Sequence, residues 1–224
     1  MYHKVTIRKT NAWVVFWFVS ILYAFWFLAR DLFIAQWSRG PFVIAAVTAL
    51  LVVRNIFLEW ALHKYVLHGT LPVPLRDHWP VRSFYEAHDG RHHFLTRLSQ
   101  YAILDESQIQ SSTFPCWALP VLILIDLPFL SLAQYFLAST VPVILSGIFA
   151  ESFSYYTYET LHALYHADFE SVWKPLVEIP GHRGRFYKWV YEYHKGHHRN
   201  SRTNLNMVIP LADLLLGTLR TKKA

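Results

Sequence analysis

The chain is short of charge and nearly empty of cysteine. Asp, Glu, Lys and Arg make up 16 % of its 224 residues, against about 25 % in an ordinary soluble domain. The single cysteine, Cys116, excludes an internal disulfide, a disulfide framework and a cysteine-built zinc site. Internal repeats and low-complexity tracts are missing. So is the small-residue cleavage site that would make the N-terminus a removable signal peptide. The formal net charge is +6, yet the basic residues form no interleaved stripe, so nucleic acid is not an expected partner. What fills the space is apolar: 54 % of the residues are hydrophobic and 17 % aromatic. Lipid is therefore expected to be part of the solvent.

Four segments have the roughly twenty apolar residues that a bilayer crossing needs, at about 12–32, 42–62, 113–136 and 141–161. The second carries Arg54 and Glu59, so its deeper half should face other helices or a site. The third carries Pro115, Pro120, Asp126 and Pro128, so a kink is expected, and a re-entrant hairpin over 113–161 stays open. Lys and Arg crowd the N-terminal eleven residues, the segment 69–112 (Arg76, Arg82, Arg91, Arg97) and the stretch after His166, whereas 137–140 has none. By the positive-inside rule both termini and the middle segment are cytoplasmic. The expected fold is an all-α, multi-pass integral membrane protein, one domain over 1–224. Cytoplasmic segments 69–112 and 167–224 would form a helical cap.

Ten of the thirteen histidines form four clusters. They are His63/His68, His88/His92/His93, His162/His166 and His194/His197/His198, and this topology puts all four on one membrane face. Residues four apart on a helix turn 400° and share a face, as in His162/His166, His88/His92 and His194/His198. His63 and His68, five apart, diverge by about 140° on a regular helix. Either the helix loosens after Tyr65 or the two serve the site from different angles. Imidazole is the commonest neutral metal ligand, and ten are more than one ion uses, so two metals are expected. Zinc, iron, copper and nickel all accept such ligands. Glu59, Asp89, Glu159 and Glu192 lie within about a turn of a histidine and are expected to accept its second N–H. His3, His78 and His182 are expected to stay outside the site.

The boxes resemble those of the fatty acid hydroxylase and sterol desaturase superfamily, the membrane di-iron hydroxylases and desaturases. Leu58–His68 resembles the first box of the fatty acid 2-hydroxylases, and His63–Gly69 is also similar to bacterial carotene hydroxylases. Tyr155–His166 and Tyr193–His198 fit later boxes, and Pro210–Thr218 is similar to the closing D-x-L-x-G-T segment. Two features depart from the pattern: Asn204-Leu205-Asn206 replaces an Asn-aromatic-Gly, and the gap from His166 to His194 is longer than in the 2-hydroxylases. The resemblance implies two irons on the ten histidines, with dioxygen as co-substrate and zinc as a substitute in purified material. Asn204 and Asp213 would support the ligands. It further implies an oxidoreductase, a monooxygenase that hydroxylates a fatty acyl, sterol or carotenoid-like lipid. No heme domain precedes the first helix, so a separate ferredoxin- or cytochrome-like donor would supply electrons. The bacterial inner membrane or the endoplasmic reticulum would house it. Desaturation at the same centre is the alternative. A histidine-lined metal transporter is a lesser one, since transporters bind near the midplane.

Overall fold

The computed structural model describes residues 2–96, 101–105, 108, 113–137 and 141–220, with side chains from Lys4 onward. The His3 side chain, Arg97 and the connection 138–140 lie outside the described residues. Every regular element described is helical, and no strand occurs among the described residues. In chain order they are α1 (Tyr2–Leu28), α2 (Arg30–Trp37), α3 (Pro41–Ala61) and a π-helical segment π1 (Leu62–Leu67). Then come α4 (Val73–Arg76), α5 (Val81–Tyr85), π2 (Glu86–His93), α6 (Ala118–Leu137) and α7 (Val143–Tyr165). The series ends with π3 (Phe169–Trp173), α8 (Lys174–Val177), α9 (His182–Arg199) and α10 (Leu211–Leu215).

Three helical runs are long and apolar enough to cross a membrane: Lys4–Leu28, Pro41–Leu67 and Ala118–Leu137. The first of the four expected segments shifts. Instead of 12–32, α1 starts at Tyr2 and stops at Leu28, because Ala29 leaves helical geometry (φ −139°, ψ 54°) before α2 begins. The fourth segment forms α7, 23 residues long, but it is not among the three. Ser146, Glu151, Ser152, Ser154, Thr157 and Glu159 lower its hydropathy, and most of its first nine residues are buried. A helix enclosed by protein can keep polar side chains, provided that they find partners.

The chain divides into two compact units. One comprises 9–55 and 115–157, the other 1–8, 56–114 and 158–224. In the first, Val14, Leu119, Ile123, Leu130, Val143, Ile144 and Ile148 form the core. Gln134 accepts from the backbone N–H groups of Val143 and Ile144, and Gln36 accepts from that of Leu145. Donors that the first turn of a helix leaves unpaired are thereby satisfied from α7's neighbours. Arg54 on α3 grips Asp126 on α6 through two hydrogen bonds (2.6 and 3.1 Å) and Glu151 on α7 through one (2.9 Å). Outward lie Val15, Phe16, Val19, Phe27, Leu50 and Phe129, all more than half exposed.

The second unit is built from π1 and π2, the far end of α7, and α9. Its core is aromatic: Tyr101, Tyr158, Tyr165, Trp173 and Tyr191, with Met207. Beside it, Ile56, Trp60, Leu205 and Ala212 pack together. The segment 203–207 is held by Asp213, which is fully buried. Asp213 accepts from the backbone N–H of Leu205 (2.9 Å) and Asn206 (2.7 Å) and from the hydroxyls of Thr218 (2.5 Å) and Tyr193. Asn204 takes a left-handed φ of 54°, a conformation that asparagine tolerates better than most residues. Its side chain donates to the carbonyls of Tyr193 and Arg220 and accepts from Arg220 N–H.

Candidate metal centre

The ten clustered histidines meet in the second unit as two adjoining groups. His92, His162, His166, His194 and His198 form the first, and His63, His68, His88 and His197 the second; within each, one nitrogen per ring lies within 4.8 Å of all the others. His93 joins the second group, its Nε2 standing 3.2 Å from Nε2 of both His88 and His197.

Different helical windings build the two. In the first group the pairs His162/His166 and His194/His198 lie four apart, His166 directly after the last residue of α7 and His194/His198 within α9. In the second the pairs His63/His68 and His88/His93 lie five apart, His68 capping the end of π1 and His88/His93 within π2. A π-helix bonds i to i+5, so residues five apart come to one face. His68 N–H donates to His63 carbonyl at 3.2 Å, and the two rings stack at 5.1 Å, 12° from parallel. The 140° divergence of a regular helix is thus removed by widening the helix itself. The adjacent doublets then divide. Consecutive helical residues point about 100° apart, so His92 turns to the first group and His93 to the second, and His198 to the first and His197 to the second.

Nitrogen-to-nitrogen spacings fit metal coordination. Nε2 atoms are 3.0 Å apart in His63–His88, His92–His162 and His166–His194, 3.2 Å in His68–His197 and His194–His198, and 3.3 Å in His92–His198. Ligands about 2.1 Å from a metal are about 3.0 Å apart at a right angle and about 3.4 Å apart at the tetrahedral angle. Tautomers agree. His166 Nδ1 meets the Tyr101 carbonyl at 2.7 Å and His63 Nδ1 the Leu205 carbonyl. A carbonyl only accepts, so the proton is on Nδ1 and Nε2 presents a lone pair. Burial pushes the histidines at 88, 92, 93, 194 and 198 well below the ordinary imidazole range, with neighbouring rings adding to the effect. His166 is lowered to about 4 and His197 to about 3 for the same first reason. Neutral imidazole is the form that binds metal.

A small pocket opens on both groups, lined by Ala87, His88, His92, Thr113, Phe114, Glu159 and His162. Glu159 accepts from Phe114 N–H through one oxygen (3.3 Å), while its other oxygen is buried without a partner among the described residues.

Of the carboxylates expected to hold an imidazole N–H, Asp89 does so, at 2.8 Å from His68 Nδ1. The other three are corrected. Glu59 accepts from Met207 N–H, Glu159 faces the pocket, and Glu192 pairs with Arg199 at 3.5 Å. Asn204 and Asp213 touch no ring but shape the segment whose carbonyls, Thr203 and Leu205, receive His197 and His63. His78 is exposed and His182 pairs with Arg185 at 2.9 Å; neither belongs to a group. The carbonyls of Tyr101, Thr203 and Leu205 were not legible, since a backbone oxygen leaves no mark on residue type. Comparison with known proteins finds no matching family model, no matching curated protein and no matching solved structure.

Proposed function

We propose that this chain is a membrane-embedded dimetal oxygenase of the fatty acid hydroxylase type that hydroxylates a lipid. The observation that carries the reading is the arrangement of ten histidines as two adjoining all-imidazole groups, in a chain with three helices apolar enough for a bilayer. Ten imidazoles without a cysteine suit zinc, copper, iron or nickel, and on this reading the ions are iron, which can change oxidation state. The outward Phe, Val and Leu side chains of the first unit face lipid, α7 crosses as a fourth helix enclosed by the others, and both termini are cytoplasmic.

Two irons held by the two groups would supply dioxygen activation, with the balance RH + O2 + 2 electrons + 2 protons giving ROH + H2O and a separate donor protein supplying the electrons. The residues of the chain do the rest. Asp89 and the carbonyls of Tyr101, Thr203 and Leu205 keep protons on Nδ1, so that Nε2 is the ligating atom. Phe114 and Ala87 are the apolar part of the lining of the small pocket beside both groups and limit bulk water there.

Membranes from cells expressing the protein, supplied with reductant and 18O2, should yield lipid carrying one labelled hydroxyl, absent from a His166→Ala strain. Label arriving from water overturns oxygen insertion, and a new double bond without label makes the enzyme a desaturase. A His166→Ala effect on cellular metal uptake alone makes it a transporter.

A further inference from the structure

The two groups differ in what stands behind the imidazoles. In the second, three rings have fixed acceptors for Nδ1–H: His63 on Leu205 carbonyl, His68 on Asp89 at 2.8 Å, His197 on Thr203 carbonyl at 2.9 Å. One of these acceptors is a carboxylate. In the first, His166 donates to Tyr101 carbonyl at 2.7 Å, and Nδ1 of His198 lies 3.5 Å from Thr96 Oγ1. Nδ1 of His92 and of His194 is buried with no partner among the described residues. Among the described residues, His92, His166, His194 and His198 meet no carboxylate; His162, the fifth ring, has a partner of its own.

Ligand number does not separate the groups, since each has five rings once His93 is counted. Support behind the rings does. An acceptor on the far nitrogen fixes the tautomer, orients the ring and raises its basicity, and loss of such a partner typically costs about 10–100-fold in metal affinity. A buried divalent charge also binds better beside a carboxylate than without one. On the reading that each group holds one ion, we infer that the two positions are unequal. The second group (His63, His68, His88, His93, His197) is the tight site and loads first. The first group (His92, His162, His166, His194, His198) is the weak, exchangeable site, left empty when metal is scarce. Asp89 is the positioning residue that sets much of the difference.

The test is an equilibrium titration of full-length, metal-free protein in detergent with Co(II) against a competing chelator. Two ions should bind with dissociation constants at least about tenfold apart. Asp89→Asn should weaken the tighter constant about 10–100-fold and leave the weaker one within about twofold, and Asp89→Glu, which keeps the charge, should restore part of the loss. His194→Ala should abolish the weaker step alone. Two ions bound with equal constants, or an Asp89→Asn effect confined to the weaker step, overturn the inference while the two-metal reading stands. Binding of one ion or none by the wild-type chain overturns that reading, and the inference with it.

Discussion

Nε2 of His68 and Nε2 of His197 face each other at 3.2 Å. His68 gives its proton to Asp89 and His197 gives its own to the Thr203 carbonyl. A neutral imidazole has only one to give. With both rings neutral, two lone pairs are held together in a buried setting, an arrangement that a cation relieves.

Metal should consequently act as a stabiliser. An ion that binds only the folded chain adds about 2.7 kcal/mol per site at a hundred times its dissociation constant. Unfolding in detergent, followed with and without chelator, should show a lower midpoint in the chelated sample. His68→Ala should reduce the response to added metal. Equal midpoints with and without metal would contradict a cation site.

Acid should destabilise the metal-free protein in a defined window. An exposed imidazole titrates near about 6.5, whereas burial holds His166 at about 4 and His197 at about 3. Between those limits the unfolded chain binds protons that the folded chain refuses, so stability rises with pH there. It is fully present above about pH 6.5 and falls as pH drops towards about 4 and below. Denaturant midpoints of the metal-free form at several pH values check this, and a flat profile from about pH 7 to about pH 5 would refute it.

Asp213→Ala should damage the second metal group without touching a ligand. Four donors lose one acceptor, and hydrogen bonds to a charged group are worth about 1.5–3 kcal/mol each, not additively. A stability loss of about 3 kcal/mol or more is expected, with metal affinity reduced about 10–100-fold as the 203–207 carbonyls lose their place. Chemical denaturation and metal titration on one preparation measure both.

Arg54→Met should strand Asp126 and Glu151 without a counter-charge. Breaking a buried pair by removing one partner costs about 3–5 kcal/mol. The lower end is expected here, because the Arg54 side chain keeps 31 % of its exposure. A triple variant, Arg54→Met with Asp126→Asn and Glu151→Gln, should recover most of the thermal stability. A single variant as stable as the parent would mean that the three groups do not act as an ionic network.

Helical character was legible because it follows from local pattern. Long apolar runs can only be helices or strands, and runs of about twenty residues are too long for strands. The limits were read less well. Ala29 ends α1 through its backbone angles, although alanine is the best helix former. The polar content of α7 was legible too, but its consequence depended on which neighbours enclose it. Gln36 and Arg54 reach it from positions about a hundred residues away, and Gln134 from the preceding helix.

Sequence by itself determined that ten histidines stand in four clusters, because spacing along a chain is a one-dimensional property. It determined also that imidazole, not thiolate, must hold any metal. Only tertiary structure decided which histidine serves which ion. That depends on the direction of each side chain, and direction depends on helical winding: π1 and π2 bring residues five apart together, while adjacent residues in both doublets are sent to different groups. It decided likewise that carbonyls, with Asp89 alone among the expected carboxylates, hold the far nitrogens. A backbone oxygen is the same atom at every position, so only folding can select it.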